Sequence, residues 1–189
     1  MGSIMAVNAW KTLKEKRVKF VTRESVSRLF KISNANNAYK LLQRLEKKGV
    51  LKRLVSGVYL VADAQATDFE IANICVSPSY VSLESALSYY GILSQFVFSI
   101  TSVTLKKAKK FTFSKEFEYA QIKPDLFWGF VKDGNFLIAR PEKAYLDAIY
   151  FQAKGLRKID FEELDRSSLN KEILKSYSSK MGIKVNQYI

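Results

Sequence analysis

Histidine is missing from all 189 residues, and cysteine occurs once, at Cys75. Together these absences exclude Ser-His-Asp and Cys-His catalytic arrangements, zinc fingers, His-based metal sites and any intramolecular disulfide. A reducing, cytoplasmic setting fits that usage. No apolar run reaches the roughly 18 residues that span a bilayer, and the amino terminus lacks the apolar stretch of a signal peptide, so the chain is expected to stay in the cytoplasm. The eight glycines are scattered and form no G-x-x-x-x-G-K-[ST] string. No phosphate cradle, cofactor or metal is therefore expected. Met1-Gly2-Ser3 opens like a myristoylation signal, but Ala6 stands where Ser or Thr is needed, and residues 1–5 are set aside.

What the chain does have is positive charge. There are 31 Lys and Arg against 18 Asp and Glu, a formal net charge of +13, on a chain that is 48% apolar and so able to bury a core. Residues 1–63 hold 14 of the cations and 4 of the carboxylates, a net of +10, while residues 64–189 hold 17 and 14, a net of +3. A protein charged in this way calls first for an acidic partner, either nucleic acid or an anionic membrane surface.

The first third reads as three helices and a hairpin. "AVNAWKTLKEK" places Val7, Trp10 and Leu13 on one face of a helix and lysines on the other. Thr22 is set to cap a second, short helix, with Glu24 in its first turn and Val26, Leu29 and Phe30 on a common stripe. Ser33 or Asn34 can cap a third helix running to about Lys48, with Ala38, Leu41, Leu42 and Leu45 facing inward and Gly49 closing it. "VLKRLV", Ser56-Gly57 and "VYLVA" then predict a β-hairpin with a two-residue turn.

On the third helix the apolar stripe leaves Asn36, Asn37, Lys40, Gln43, Arg44 and Lys47 on the opposite side. Asn and Gln can pair with adenine edges, Arg and Lys reach guanine or phosphate, and a helix about 10 to 12 Å across fits the major groove of B-DNA. The helix order, the hairpin and the charge together predict an amino-terminal winged helix-turn-helix over residues 4–62 that binds DNA. Its expected contacts are Ser33, Asn34, Asn36, Asn37, Lys40, Gln43, Arg44 and Lys47 from the helix region, and Lys52, Arg53 and Ser56 from the hairpin. Among them Asn36, Asn37, Lys40 and Arg44 are placed at bases or near phosphates, and Lys47, Lys52, Arg53 and Ser56 on the backbone. Trp10, Phe20, Phe30 and Tyr59 fall mostly on apolar stripes and are read as core, which weighs against single-strand stacking. The plainer alternatives are a solvated basic face, an RNA binder or a protein-docking module.

"ADAQAT", residues 62–67, marks a boundary, and residues 68–189 are predicted to form an α+β domain with a helical tail. Within it a short helix is expected near residues 68–75, then an extended Tyr80-Val81 stretch. Ser82 is expected to cap a helix that ends at Gly91. "FSITSVTL", "KKFTFSKEFEYAQI" and "DGNFLIA" read as strands, the last after an Asp133-Gly134 turn. Pro141 opens a helix read as strongly amphipathic, with Ala144, Leu146, Ile149 and Tyr150 available for burial, and another helical stretch is expected near Leu169 to Tyr177. Glu142, Lys143 and Asp147 have acid, base and metal-binding chemistry, but the spacing of Lys143 and Asp147 is that of an ordinary surface ion pair, and no enzyme is expected. Lys106, Lys107, Lys109 and Lys110 of "KKAKK" form a second basic cluster, a solvated loop by default and a secondary anion-contacting surface otherwise. Cys75, between Ile71, Ile74 and Val76, reads as a small buried hydrophobe.

With "YVSLESALSYYGI", "ITSVTLKKAKKF", "FWGF" and "IARPEKAYLDAIY" following the winged-helix start, the chain resembles the AbiEi-like antitoxin and regulator family of abortive-infection, type IV toxin-antitoxin systems. The resemblance runs from Val7 to Ala153 and is most specific over Ser82 to Gly91 and Ala139 to Tyr150, in particular Pro141-Glu142-Lys143-Ala144 with Leu146-Asp147 behind it. It implies a DNA-binding autorepressor of a two-gene phage-defence operon, whose product counters a nucleotidyltransferase-class toxin. Winged-helix regulators commonly bind as two-fold dimers on inverted repeats, so a homodimer on a double-stranded operator is expected. The alternative is a protein-interaction module that binds a toxin or another partner directly, with DNA binding secondary.

Overall fold

The computed structural model describes the backbone of residues 2–95 and 97–183, with side chains from residue 7 onward. Met1, set aside above, and residues 184–189 of the tail lie outside the described residues. The described chain is mixed α+β, with seven α-helices and two sheets, and divides into two compact units, Met1–Thr67 and Asp68–Ile189. None of the described helices is long and apolar enough to cross a membrane.

The first unit runs α1 (Gly2–Glu15), β1 (Phe20–Thr22), α2 (Arg23–Leu29), α3 (Ala35–Lys47), β2 (Leu51–Val55) and β3 (Val58–Val61). Its sheet is antiparallel in the order β1-β3-β2. Strand β1 has three residues, too few to show an alternation, and the sequence did not predict it. Thr22 ends β1 and caps α2: its hydroxyl accepts from the Ser25 N–H at 3.2 Å, and the Ser25 hydroxyl accepts from the Thr22 N–H at 2.7 Å. At α3 the choice between Ser33 and Asn34 falls to Asn34, whose side-chain oxygen accepts from the Asn36 N–H at 2.8 Å and the Asn37 N–H at 3.4 Å. The β2–β3 turn is Ser56-Gly57, and Gly57 takes φ +80°, a conformation that a side chain would strain.

Ala38, Leu41, Leu42 and Leu45 of α3 are buried with Leu13, Val21, Val26, Leu51, Tyr59 and Val61 in one core. Each such leucine contributes roughly 1.5 to 3 kcal/mol through burial. The expected inward face of α1 is only partly correct. Leu13 is buried, but Val7 is 59% and Trp10 37% exposed, and the contact is made by Ala9 and Leu13, one turn apart. Trp10 is therefore no core residue. The Lys14 ammonium lies 4.4 Å from the centre of its ring and is itself paired with Asp63 at 2.7 Å.

The second unit begins with α4 (Asp68–Cys75), β4 (Ser79–Val81) and α5 (Leu83–Tyr89). Strands β5 (Ser99–Thr104), β6 (Lys109–Thr112) and β7 (Glu116–Gln121) follow, then a 3-10 turn at Pro124–Leu126, the hairpin β8 (Phe130–Asp133) and β9 (Phe136–Ala139), and the helices α6 (Pro141–Ala153) and α7 (Lys171–Met181). The six strands lie in the order β6-β7-β5-β4-β9-β8, with β5–β7 and β4–β9 parallel and the other neighbours antiparallel. Asp133 pairs with Phe136, so the hairpin turn is Gly134-Asn135, one residue later than the sequence suggested.

Helix α6 starts at Pro141 as expected, but it is not amphipathic in place. Residues 142–149 and Phe151 are all buried, because α5, α7 and β9 pack around it. The tail helix α7 is capped by the Asn170 side chain and buries Leu174, Ser178 and Met181. Its start is tied to α6 by the Asn170 N–H, which donates to the Glu142 carboxylate at 3.0 Å. Cys75 is buried as expected, and desolvation pushes its thiol pKa up to about 12.

Candidate nucleic-acid interface

Helix α3 carries the core on one side and leaves the other to solvent. Asn36, Asn37, Lys40, Gln43, Arg44 and Lys47 are all exposed, as are Ser33 and Asn34 before them and Lys52, Arg53 and Ser56 on the hairpin. The structure thus brings together on one side of α3 the side chains that the sequence proposed for it. Asn34 differs in having its side-chain oxygen already committed to the helix cap.

Lys40, Arg44, Lys47 and Arg53 have no carboxylate partner among the described residues. Of the four carboxylates in residues 1–63, Glu15 stands 4.0 Å from Lys11, Glu24 lies 3.9 Å from Arg23, and Asp63 pairs with Lys14. The fourth, Glu46, acts electrostatically on Tyr59, whose hydroxyl pKa is raised mainly by burial. A surface with cations left over in this way attracts polyanions through release of their counterions.

The two hairpin cations do not act as one pair. Successive strand residues point to opposite faces, and Leu51 and Arg53 share the face that meets α3, while Lys52 lies on the other. Arg53 lines a cleft of about 480 Å³ with Tyr39 and Leu42 of α3, Arg23 at the start of α2, and Ser56-Gly57 at the hairpin turn. Tyr39 was not singled out in the sequence. It is 49% exposed, and the Gln43 amide donates to its hydroxyl at 2.9 Å. The available signal was its i,i+4 spacing to Gln43, which places the two on the same side of α3.

The second basic cluster is divided as well. Lys106 and Lys107 lie in the exposed β5–β6 connection and Lys109 and Lys110 begin β6, one of the two edge strands of the sheet. Lys110 pairs with Glu116 at 2.7 Å and Glu118 at 3.5 Å, which holds its ammonium pKa above the usual value. Lys106, Lys107 and Lys109 carry no such pair among the described residues.

Lys143 and Asp147 correct the surface ion pair expected from their spacing. Both are fully buried and ion-paired. Tyr80 and Ser82 each donate a hydroxyl hydrogen to Asp147, at 3.0 and 2.8 Å, and the Tyr80 oxygen accepts from Lys143 at 3.0 Å. Ser82 stands at the start of α5 but does not cap it, since its hydroxyl is turned to Asp147. Desolvation pushes the Asp147 carboxyl above its usual range against the pull of Lys143, Ser82 and Tyr80. Gly129, at φ +77°, lies so close over the Lys143 stem that an added Cβ would stand 3.0 Å from it. Enclosed in this way, the group ties β4, α5 and α6 together and offers solvent no reactive atom.

Compared with known proteins, the chain matches no family model and no curated protein.

Proposed function

We propose that the first unit is a winged helix-turn-helix that binds double-stranded DNA, with α3 in the major groove and the β2–β3 hairpin as the wing. The observation that carries this reading is the outward face of α3, where Lys40, Arg44 and Lys47 have no carboxylate partner among the described residues and stand beside exposed Asn36, Asn37 and Gln43. The order helix, strand, two helices and hairpin supports it, since that arrangement sets one helix against a groove and one hairpin against the flanking backbone.

At the level of the whole chain we propose a transcriptional autorepressor that also serves as antitoxin of an abortive-infection operon, of the AbiEi-like kind. The segments "YVSLESALSYYGI" and "IARPEKAYLDAIY" support this. They supply much of the buried centre of the second unit, including Tyr80, Ser82, Lys143 and Asp147. Two copies would occupy an inverted repeat about one helical turn apart. No catalytic role is assigned to Glu142, Lys143 or Asp147.

The test is a titration of the full chain against its own upstream DNA and a scrambled duplex of equal length at several salt concentrations. The expected result is a preference of roughly a thousandfold or more with a steep loss of affinity in salt. Weak binding without preference would replace this reading with that of a protein-interaction module, to be pursued by pull-down of the neighbouring gene's product.

A further inference from the structure

An exposed aromatic on a face otherwise made of amides and cations needs a reason. Tyr39 is that residue: it lies on the hairpin flank of α3, beside Arg53, and receives a hydrogen bond from Gln43 one turn on. Leu42, between them in sequence, is buried, so the backbone beneath the pair is fixed by the core.

The bond fixes more than position. A free glutamine on a helix surface rotates about three side-chain bonds, and its amide can present either end. With one Nε2 hydrogen held by the Tyr39 oxygen, exposed Gln43 keeps its Oε1 and its other Nε2 hydrogen for a ligand. Neither has a partner among the described residues. One acceptor beside one donor matches the major-groove edge of adenine, which offers the N6 hydrogen and the N7 lone pair. The reversed amide, with Oε1 accepting from the tyrosine, would present two donors and match guanine instead.

We propose that Gln43, oriented by Tyr39, selects an A·T pair on the wing side of the binding site, with Tyr39 acting as a positioning residue. The proposal rests on the DNA-binding reading above and names what that site discriminates. It adds Gln43 to Asn36, Asn37, Lys40 and Arg44, the residues placed at bases or near phosphates above.

The experiment is selection of duplexes from a randomised library by the full-length protein, followed by titration of single-pair variants of the selected site. Wild type, Gln43→Ala and Tyr39→Phe are compared, with random DNA as the reference. Wild type should prefer A·T at one wing-side position by roughly five- to a hundredfold. Gln43→Ala should abolish that preference and lower affinity for the selected site several-fold more than affinity for random DNA. Tyr39→Phe, which keeps the ring and removes the hydroxyl, should lose most of it, and the double variant should match Gln43→Ala alone. A merely structural tyrosine would alter melting temperature or all affinities together, without changing the preference at one pair.

If wild type selects a sequence but Gln43→Ala leaves every position as it was, or the affected position is G·C, the assignment of Gln43 and Tyr39 falls and the DNA-binding reading stands. If wild type enriches no sequence, both fall, and the failure begins with the reading.

Discussion

Lys143 and Asp147 stand one turn apart on α6, ion-paired with no exposure to solvent, and share the Tyr80 hydroxyl between them. A pair in that position is costly to assemble, because both charges leave water, and costlier to halve. Lys143→Ala or Asp147→Ala should destabilise the protein by about 3 to 5 kcal/mol in chemical denaturation, since each leaves one buried charge unanswered. Replacing both with apolar residues, as in Lys143→Met with Asp147→Leu, should restore most of that loss. Single-variant losses below about 1 kcal/mol would contradict the enclosure described above.

At the start of α3, Asn34→Ala removes the oxygen that accepts from the Asn36 and Asn37 N–H groups. The expected cost is about 1 kcal/mol, and Asn34→Asp should recover most of it because aspartate caps equally well. Thermal melting of the three proteins checks this. An Ala variant as stable as its parent would show that the cap contributes nothing.

Lys52 and Arg53 are expected to separate in a DNA titration because the hairpin turns them to opposite faces. Lys52→Ala should weaken binding equally on all sequences and reduce the salt slope by about 1. Arg53→Ala, beside Tyr39 in the cleft, should lose more on the selected site than on random DNA. Identical behaviour of the two variants would mean that both meet only the phosphate backbone.

Cys75 should resist thiol reagents at neutral pH in the native protein and react once per chain in denaturant. Its pKa of about 12 in the fold also sets a pH dependence. The unfolded thiol ionises near pH 8.5, so above that the unfolded state releases a proton that the native state still holds, and rising pH favours unfolding. Near pH 10 the loss should be about 2 kcal/mol, and Cys75→Ala, compared by denaturation at both pH values, should lack that increment. Equal pH dependence in the two proteins would exclude the thiol as its source.

How much of this was legible in the sequence depends on the range of the forces involved. Local signals translated directly: the caps at Thr22 and Asn34, the Ser56-Gly57 turn, the inward stripe of α3 and Pro141 at the start of α6 are settled by residues within a few positions of one another. Long-range packing did not. Lys143 to Asp147 has the spacing of a surface pair, and only the convergence of β4, α5, α7 and the Gly129 backbone on α6 makes it a buried one. The same limit explains Ser82, whose hydroxyl is drawn from its own helix to a carboxylate 65 positions away. On the candidate site, every exposed residue of α3 could be read from periodicity. Tyr39 is among them and its spacing to Gln43 was visible, but its place in a cleft with Arg53 depends on how the hairpin packs on α3 and was not.

The outer position of β6 has a consequence for how the protein behaves in a crowded cell. An outermost strand offers its backbone hydrogen-bonding groups to any other extended chain and so invites runaway sheet growth. Here that strand opens with Lys109 and is preceded by Lys106 and Lys107, none of them ion-paired among the described residues, so a second copy approaching edge to edge would bring like charges together. Whatever else the lysines contact, they make this border of the sheet a poor template for aggregation, and neutralising them by acetylation would remove that safeguard.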